Sequence, residues 1–212
     1  MKHLYFVRHG QTEWNAIARM QGQWNSDLSA LGQAQARVSG QVLSEFPIDA
    51  MYASPLDRTR QTAALINEHL DLPVTFDERI MEWDCGDWSG YLYAEVAEQW
   101  KAEWQAYQQD KFNYRGPNCE NYPDMFARAR PFLQEVLATS HEHIAIVSHG
   151  MIGKVMIAEL LGMDEDETLA ISQPNDVIMV VRVDEGDRDV FHYVGEEGPI
   201  AGPSGRPTQL SA

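Results

Sequence analysis

Two histidines each close a short apolar run, and each is followed by glycine. Leu4 to Val7 leads into Arg8-His9-Gly10, and Ile144 to Val147 leads into Ser148-His149-Gly150. Continuous apolar runs of this length have the character of strands buried on both faces of a parallel sheet. Ligands of open α/β sheets bind beyond the carboxyl ends of the strands, so the two imidazoles, far apart in the chain, are expected to converge on one crevice. Either histidine alone reads as structural. Their company changes that reading: Arg8 adjoins His9, and Arg58 falls in the first turn of an expected helix after Pro55, where free backbone N–H groups and the helix dipole favour an anion. A guanidinium makes two parallel hydrogen bonds to a tetrahedral oxyanion and stays charged at any working pH. Phosphoryl transfer needs such fixed positive donors, because its negative charge spreads over three oxygens.

The order of the motifs sharpens this. Arg8-His9-Gly10-Gln11-Thr12 with Trp14-Asn15, then Gln21-Gly22, Leu28-Ser29-Ala30-Leu31-Gly32-Gln33-Ala34, Ser54-Pro55-Leu56-Asp57-Arg58-Thr59-Arg60-Gln61-Thr62-Ala63, Glu82 with Gly86, Trp88 and Gly90, and Val147-Ser148-His149-Gly150 run over residues 4–150. In content and order these blocks resemble the histidine phosphatase superfamily, which includes cofactor-dependent phosphoglycerate mutases and many small-molecule phosphatases. The resemblance implies a phosphoglycerate mutase-like fold and a phosphohistidine at His9. It implies that Arg8, Arg58 and His149 clamp the phosphate and that Glu82 is the general acid and base. It also implies that Asn15, Gln21, Gly22, Arg60 and Gly150 face the substrate, with neither metal nor cofactor required. His9 must attack as neutral imidazole, a state that neighbouring arginines favour. Other readings stay open for several of these: Glu82 as a surface carboxylate in a turn, Asn15 and Gln21 as turn or capping residues, and Arg60 paired with an acid such as Asp57.

Within that family the sequence favours a phosphatase over a mutase. Mutases usually carry a tyrosine three residues after the acid/base glutamate, where this chain has Cys85, and a longer basic insertion, where residues 91–118 offer only Lys101, Lys111 and Arg115. Pro117-Asn118-Cys119-Glu120-Asn121 is similar to a Pro-Gly-Gly-Glu-Ser segment of the phosphatase branch, with departures at Cys119 and Asn121. A catalytically silent phosphate-binding module on the same fold is the reading from another class.

The elements needed to position these residues can be placed from periodicity. A third short strand around Met51 should end at Ser54-Pro55, and a late hairpin is expected around Glu185-Gly186-Asp187 between strands near Val177–Val183 and Val190–Val194. Amphipathic helices are expected after Ser29, burying Leu31, Ala34, Val38 and Val42; from Leu56 towards Leu70; from Asn121-Tyr122-Pro123, burying Met125, Ala129, Phe132 and Val136; and over Ile152 to Leu160, stopping at Gly162. Alternating strands and helices make an α/β protein, a three-layer α/β/α sandwich with a mostly parallel central sheet. One catalytic domain over 1–195 is expected. Residues 91–118 read either as an inserted lid or as a helix whose aromatic face, Trp100, Trp104 and Tyr107, packs on the core. Residues 196–212, rich in Gly, Pro and Ser, read as a loose tail.

Composition narrows the partners. The 212-residue chain has 32 acidic against 16 basic residues, a formal charge of -16, which argues against nucleic acid or an anionic membrane. The expected partner is a small phosphorylated substrate held in a local basic pocket, and the choice between monomer and homodimer is open. The first residues are too polar for a secretory segment, so a cytoplasmic location is the default expectation. Cys85 and Cys119 lie in no CxxC or Cys/His cluster, which supports neither a disulfide framework nor a zinc site.

Overall fold

Successive side chains of a strand point to opposite faces, and the apolar run after His3 divides accordingly. Leu4 and Phe6 enter one hydrophobic core, and Tyr5 and Val7 enter another. The run after His143 does the same, with Ile144 and Ile146 on the first face and Ala145 and Val147 on the second. Strands apolar on both faces must lie between two layers of helices. The computed structural model, which describes residues 1–184 and 187–204, has that arrangement.

In chain order the elements are β1 (Lys2–Arg8), α1 (Glu13–Ala16), α2 (Ala30–Ser44), β2 (Ala50–Ala53), α3 (Asp57–Leu70), β3 (Val74–Phe76), α4 (Tyr93–Gln99), α5 (Lys101–Gln109), α6 (Tyr122–Ala138), β4 (His143–Ser148), α7 (Gly150–Leu161), α8 (Glu165–Ala170), β5 (Val177–Asp184), β6 (Asp187–Val194) and β7 (Glu197–Ala201). The seven strands form one sheet in the order β3-β2-β4-β1-β5-β6-β7. The pairs from β3 to β1 are parallel, and those from β1 to β7 are antiparallel. The sheet is therefore mixed, and its parallel half carries both histidines. β1 and β4 pair in register, with Arg8 opposite Ser148, so the residues that follow them emerge side by side. β5 runs antiparallel to β1, which brings the loop before β5 to the same edge.

α2 and α3 cover the face of Tyr5 and Val7, and α6 and α7 cover the other. α6 begins as its sequence suggests, with Asn121 capping the Asp124 N–H and Pro123 in the first turn. α7 ends at Gly162 in the left-handed conformation. The α2 face expected from apolar spacing holds at Val42 and is corrected at Leu31 and Ala34. Leu31 is exposed, while Gly32, Ala36, Ser39, Gly40, Val42 and Leu43 are buried. Small residues win because the two helices lie close: a Cβ on Gly40 would sit 3.0 Å from the Ile66 backbone.

Residues 91–118 form α4, α5 and a loop. Trp100, Trp104, Tyr107 and Phe112 pack against the α6/α7 core. Trp104 meets Trp88 edge-on at 5.6 Å, and Tyr107 stacks on Trp83 at 5.9 Å. The aromatic face is thus a core face, the alternative to a lid. The tail expectation is corrected for residues 197–201, which pair with β6 as an exposed edge strand. Gly195 turns the chain at φ 55°, the Gly202 N–H donates to the Val190 carbonyl and His192 Nδ1 meets the Gly202 carbonyl at 2.8 Å, so hydrogen bonding recruits a segment with no apolar periodicity. Residues 205–212, and the turn residues 185 and 186 of the hairpin, lie outside the described residues.

Candidate active site

Arg8, the last residue of β1, and His9 just beyond it are buried at 6% and 3% exposure; His149, the N-cap of α7, is fully buried. The two imidazole rings lie 5.2 Å apart, edge to face. Arg58, in the first turn of α3, is 1% exposed and reaches the same place: its Nε donates to His149 Nδ1 at 3.2 Å. The four groups that the sequence brought together on paper are one cluster.

The His9 Nδ1 faces the Gly10 carbonyl at 2.8 Å. A carbonyl only accepts, so Nδ1 carries the proton and Nε2 keeps its lone pair. Burial, then Arg58, then Arg8 push the His9 pKa well below 6.5, while its bond to Gly10 opposes them. His9 is held as the neutral tautomer with Nε2 free. Its loop is pinned by groups the sequence reading missed. Thr62 Oγ accepts the Gly10 N–H at 3.1 Å, and Asn175 donates to the His9 carbonyl at 2.6 Å. A Cβ on Gly32, at the start of α2, would fall 2.0 Å from the Gln11 carbonyl oxygen. That approach accounts for the glycine in the Leu-Ser-Ala-Leu-Gly block.

His149 uses both ring nitrogens. Nδ1 accepts from Arg58, so Nε2 carries the hydrogen and donates to Ser54 Oγ at 2.8 Å. Burial and the Arg58 charge hold its pKa well below 6.5. The outer nitrogens of Arg58 donate to the Gly22 and Trp24 carbonyls at 2.6 and 2.7 Å. Three of the five guanidinium N–H groups are thereby occupied and two remain. Burial lowers the Arg58 pKa to about 10, which leaves it charged at neutral pH. Arg8 donates from Nη1 to the Gln173 carbonyl at 3.1 Å, and its buried Nε has no partner among the described residues.

Glu82 lies at the start of α7. Its carboxylate accepts the Met151 and Ile152 N–H groups at 3.2 and 3.1 Å, and that of Trp83 at 2.9 Å. The Glu82 backbone carbonyl is held by Gln23 and Arg128. Arg128 also forms a two-pronged ion pair with Glu120 at 2.8 and 2.9 Å, and Glu120 accepts the Asp84 N–H. Glu120 therefore has a definite place, anchoring the segment that carries Glu82. Arg128 was hidden from the sequence reading because it lies on an ordinary amphipathic helix.

The other expected positions differ from one another. Asn15 spends its side-chain oxygen on the Thr12 N–H in a capping box, and its amide nitrogen makes no bond to a described residue. Gln21 is buried, and its side-chain oxygen has no partner among the described residues. Gly22 has φ 50° and backs onto Cys85, whose N and Sγ would lie 3.0 Å from a Cβ there. Gly150 lets Arg8 lie along the start of α7, 3.4 Å from where a Cβ would stand. Arg60 is not in the cluster. It is exposed, bonded to the Pro55 carbonyl and stacked on Phe76 with its guanidinium 3.9 Å from the ring centre, and it pairs neither with Asp57 nor with the buried groups. Cys85 and Cys119 are free and buried, and no cluster of metal-ligating side chains occurs among the described residues.

Comparison with known proteins agrees with this geometry. The sequence profile of the histidine phosphatase superfamily (branch 1) matches residues 4–194. The chain belongs to that superfamily. Phosphoserine phosphatase 1 of Hydrogenobacter thermophilus is 33% identical over 186 residues, covering 87% of this chain and 88% of that protein. Glucosyl-3-phosphoglycerate phosphatase of Mycolicibacterium vanbaalenii is 32% identical over 177 residues, covering 78% of this chain and 77% of its own. Among solved structures, a mycobacterial glucosyl-3-phosphoglycerate phosphatase complexed with VO3 superposes with a TM-score of 0.78 at 27% identity, over 86% of this chain and 91% of that one. As a histidine phosphatase with phosphatase relatives, the chain is a phosphohydrolase. No helix among the described residues is long and apolar enough to cross a membrane.

Proposed function

We propose that the protein hydrolyses a small phosphomonoester through a phosphohistidine on His9, without a metal ion. The observation that carries this reading is the His9 tautomer: Nδ1–H is held by the Gly10 carbonyl, and Nε2 is bare beside two buried guanidinium groups.

In the first step His9 Nε2 attacks phosphorus, and the N–P bond forms as the ester P–O bond breaks. The free N–H groups of Arg8 and Arg58 meet the equatorial oxygens, where charge spreads. Glu82, in its protonated form, gives a proton to the departing alkoxide. In the second step water attacks phosphorus, Glu82 takes a proton from it, the N–P bond breaks and phosphate leaves. His149 orients Arg58 through the Nε–H to Nδ1 hydrogen bond. The charge of an incoming phosphate offsets that of Arg58 and favours a proton on His149 Nδ1, which then gives up the Arg58 hydrogen bond and donates to the phosphate instead. Asn15, Gln21, Gly22 and Gly150 line the approach in this reading. Phosphoserine and glucosyl-3-phosphoglycerate, the compounds for which the relatives are named, are both phosphomonoesters with a carboxylate.

His9→Ala tests the mechanism. It should abolish turnover of every phosphomonoester tried in EDTA, along with the acid-labile radiolabel that wild type acquires from a phosphate donor. Activity of the variant within tenfold of wild type would exclude His9 as the nucleophile. Supplying 3-phosphoglycerate with and without 2,3-bisphosphoglycerate separates hydrolysis from mutase activity.

A further inference from the structure

One charged group beside the site has no partner among the described residues. Lys154 is part-buried on α7, yet it makes no hydrogen bond or ion pair with any described residue, in a chain with twice as many acids as bases. Removing an ammonium from water without pairing it is costly, so such a group marks a place where an anion is expected.

Its position says which place. Lys154 follows Gly150 by four residues and Met151 by three, and residues so spaced share a helix face. Gly150 abuts Arg8, and the Met151 N–H binds the Glu82 carboxylate. Long side chains on a helix lean over the turn N-terminal to their own Cα. The Lys154 ammonium is thereby carried toward Arg8 and Glu82. The charges around it agree: burial lowers its pKa to about 8, Arg8 and Lys111 repel it, and Glu82 attracts it. Lys111 enters from the loop after α5. Tyr93, from α4, lies within electrostatic range of Arg8 and Glu82, and its hydroxyl bonds no described residue.

We infer that Lys154, flanked by Lys111, is a second anion subsite that receives a carboxylate on the leaving group of the substrate. This rests on the phosphatase reading above. A phosphoryl group held by Arg8, His9 and Arg58 turns its ester oxygen toward Glu82, and the rest of the substrate then extends past Glu82 toward Lys154. Two ammonium groups beside the Glu82 carboxylate leave about one net positive charge, which suits a singly charged group better than a second phosphate, which would bring two charges into a strongly acidic molecule.

The test compares kcat/KM for 3-phosphoglycerate and glycerol 3-phosphate, which differ by the carboxylate, in wild type, Lys154→Met and Lys154→Arg. Wild type should prefer the carboxylate ester. Lys154→Met should cut that preference at least tenfold, and Lys154→Arg should keep it. The preference should fade in wild type as pH rises past about 8, where the ammonium is lost, and persist in the arginine variant. A lysine that merely supports Glu82 would change both esters alike, so an unaltered ratio in Lys154→Met overturns the subsite. Absence of turnover with every phosphomonoester strikes the phosphatase reading instead. The subsite is then read by calorimetry on His9→Ala: tighter binding of 3-phosphoglycerate than of glycerol 3-phosphate, abolished in His9→Ala/Lys154→Met, supports it, and equal affinities overturn it.

Discussion

The proton on the His9 ring decides what this cluster can do, and that proton is set by one carbonyl. With Nδ1–H on Gly10 and two guanidinium groups nearby, the neutral imidazole is the favoured form well below pH 6.5. Nitrogen-detected NMR of labelled histidine should therefore find the His9 titration midpoint below the ordinary histidine value of 6.5, with Nε2 unprotonated at neutral pH; a midpoint at or above 6.5 would refute the electrostatic argument. Arg58 is as constrained as His9. It bridges His149 and the Gly22 and Trp24 carbonyls while keeping two N–H groups for a ligand. Lysine would keep the charge and lose the bridge, so Arg58→Lys should lower kcat/KM roughly a hundred- to a thousandfold, the usual effect of removing a transition-state donor. A fall of less than fivefold would remove Arg58 from the clamp. The types of these residues were legible in the sequence because the chemistry demands them. Their hydrogen bonds were not, since the Gly10, Gly22 and Trp24 carbonyls are backbone groups that any sequence possesses.

At the level of elements, the site depends on how closely neighbouring segments approach. The start of α2 presses against the loop after β1, where a side chain on Gly32 would meet the Gln11 carbonyl at 2.0 Å. Gly32→Ala should move that loop and His9 with it, lowering kcat at least tenfold and the melting temperature by several degrees; overpacking of this kind costs about 1–3 kcal/mol. Unchanged kcat and melting temperature would show that the loop tolerates displacement. Reading α2 by apolar spacing alone chose Leu31, Ala34, Val38 and Val42 as the buried face; the structure buries Val42 but exposes Leu31 and Ala34, and buries the small residues Gly32, Ala36, Ser39 and Gly40. Periodicity reports which residues gain from burial, but the distance to α3 decides which ones fit. The aromatic segment of α4 and α5 illustrates the same limit. Its spacing announced a face, and the partner of that face, the Trp83 and Trp88 pair, became visible only in three dimensions.

Over the whole molecule, a formal charge of -16 surrounds a buried cluster of guanidinium and imidazole groups. The general field repels an anionic substrate, and the local donors bind it at short range, where salt screens less. Raising ionic strength should therefore lower KM for a multiply charged phosphomonoester, as measured in steady-state assays from low to moderate salt; a steep monotonic rise in KM would mean that long-range attraction dominates after all. The sequence by itself determined the alternation of strands and helices, the two histidines at strand ends and the arginine at a helix start, because burial periodicity and phosphoryl chemistry each constrain residue type locally. Tertiary structure alone decided that Arg60 lies outside the cluster on Phe76, that Asn175 and Thr62 pin the His9 loop, that Arg128 and Glu120 anchor Glu82, and that Lys154, within electrostatic range of Glu82, has no partner among the described residues. Those roles arise from strand order and helix packing, which bring distant residues within a few ångströms, and no local pattern in the chain encodes such distances.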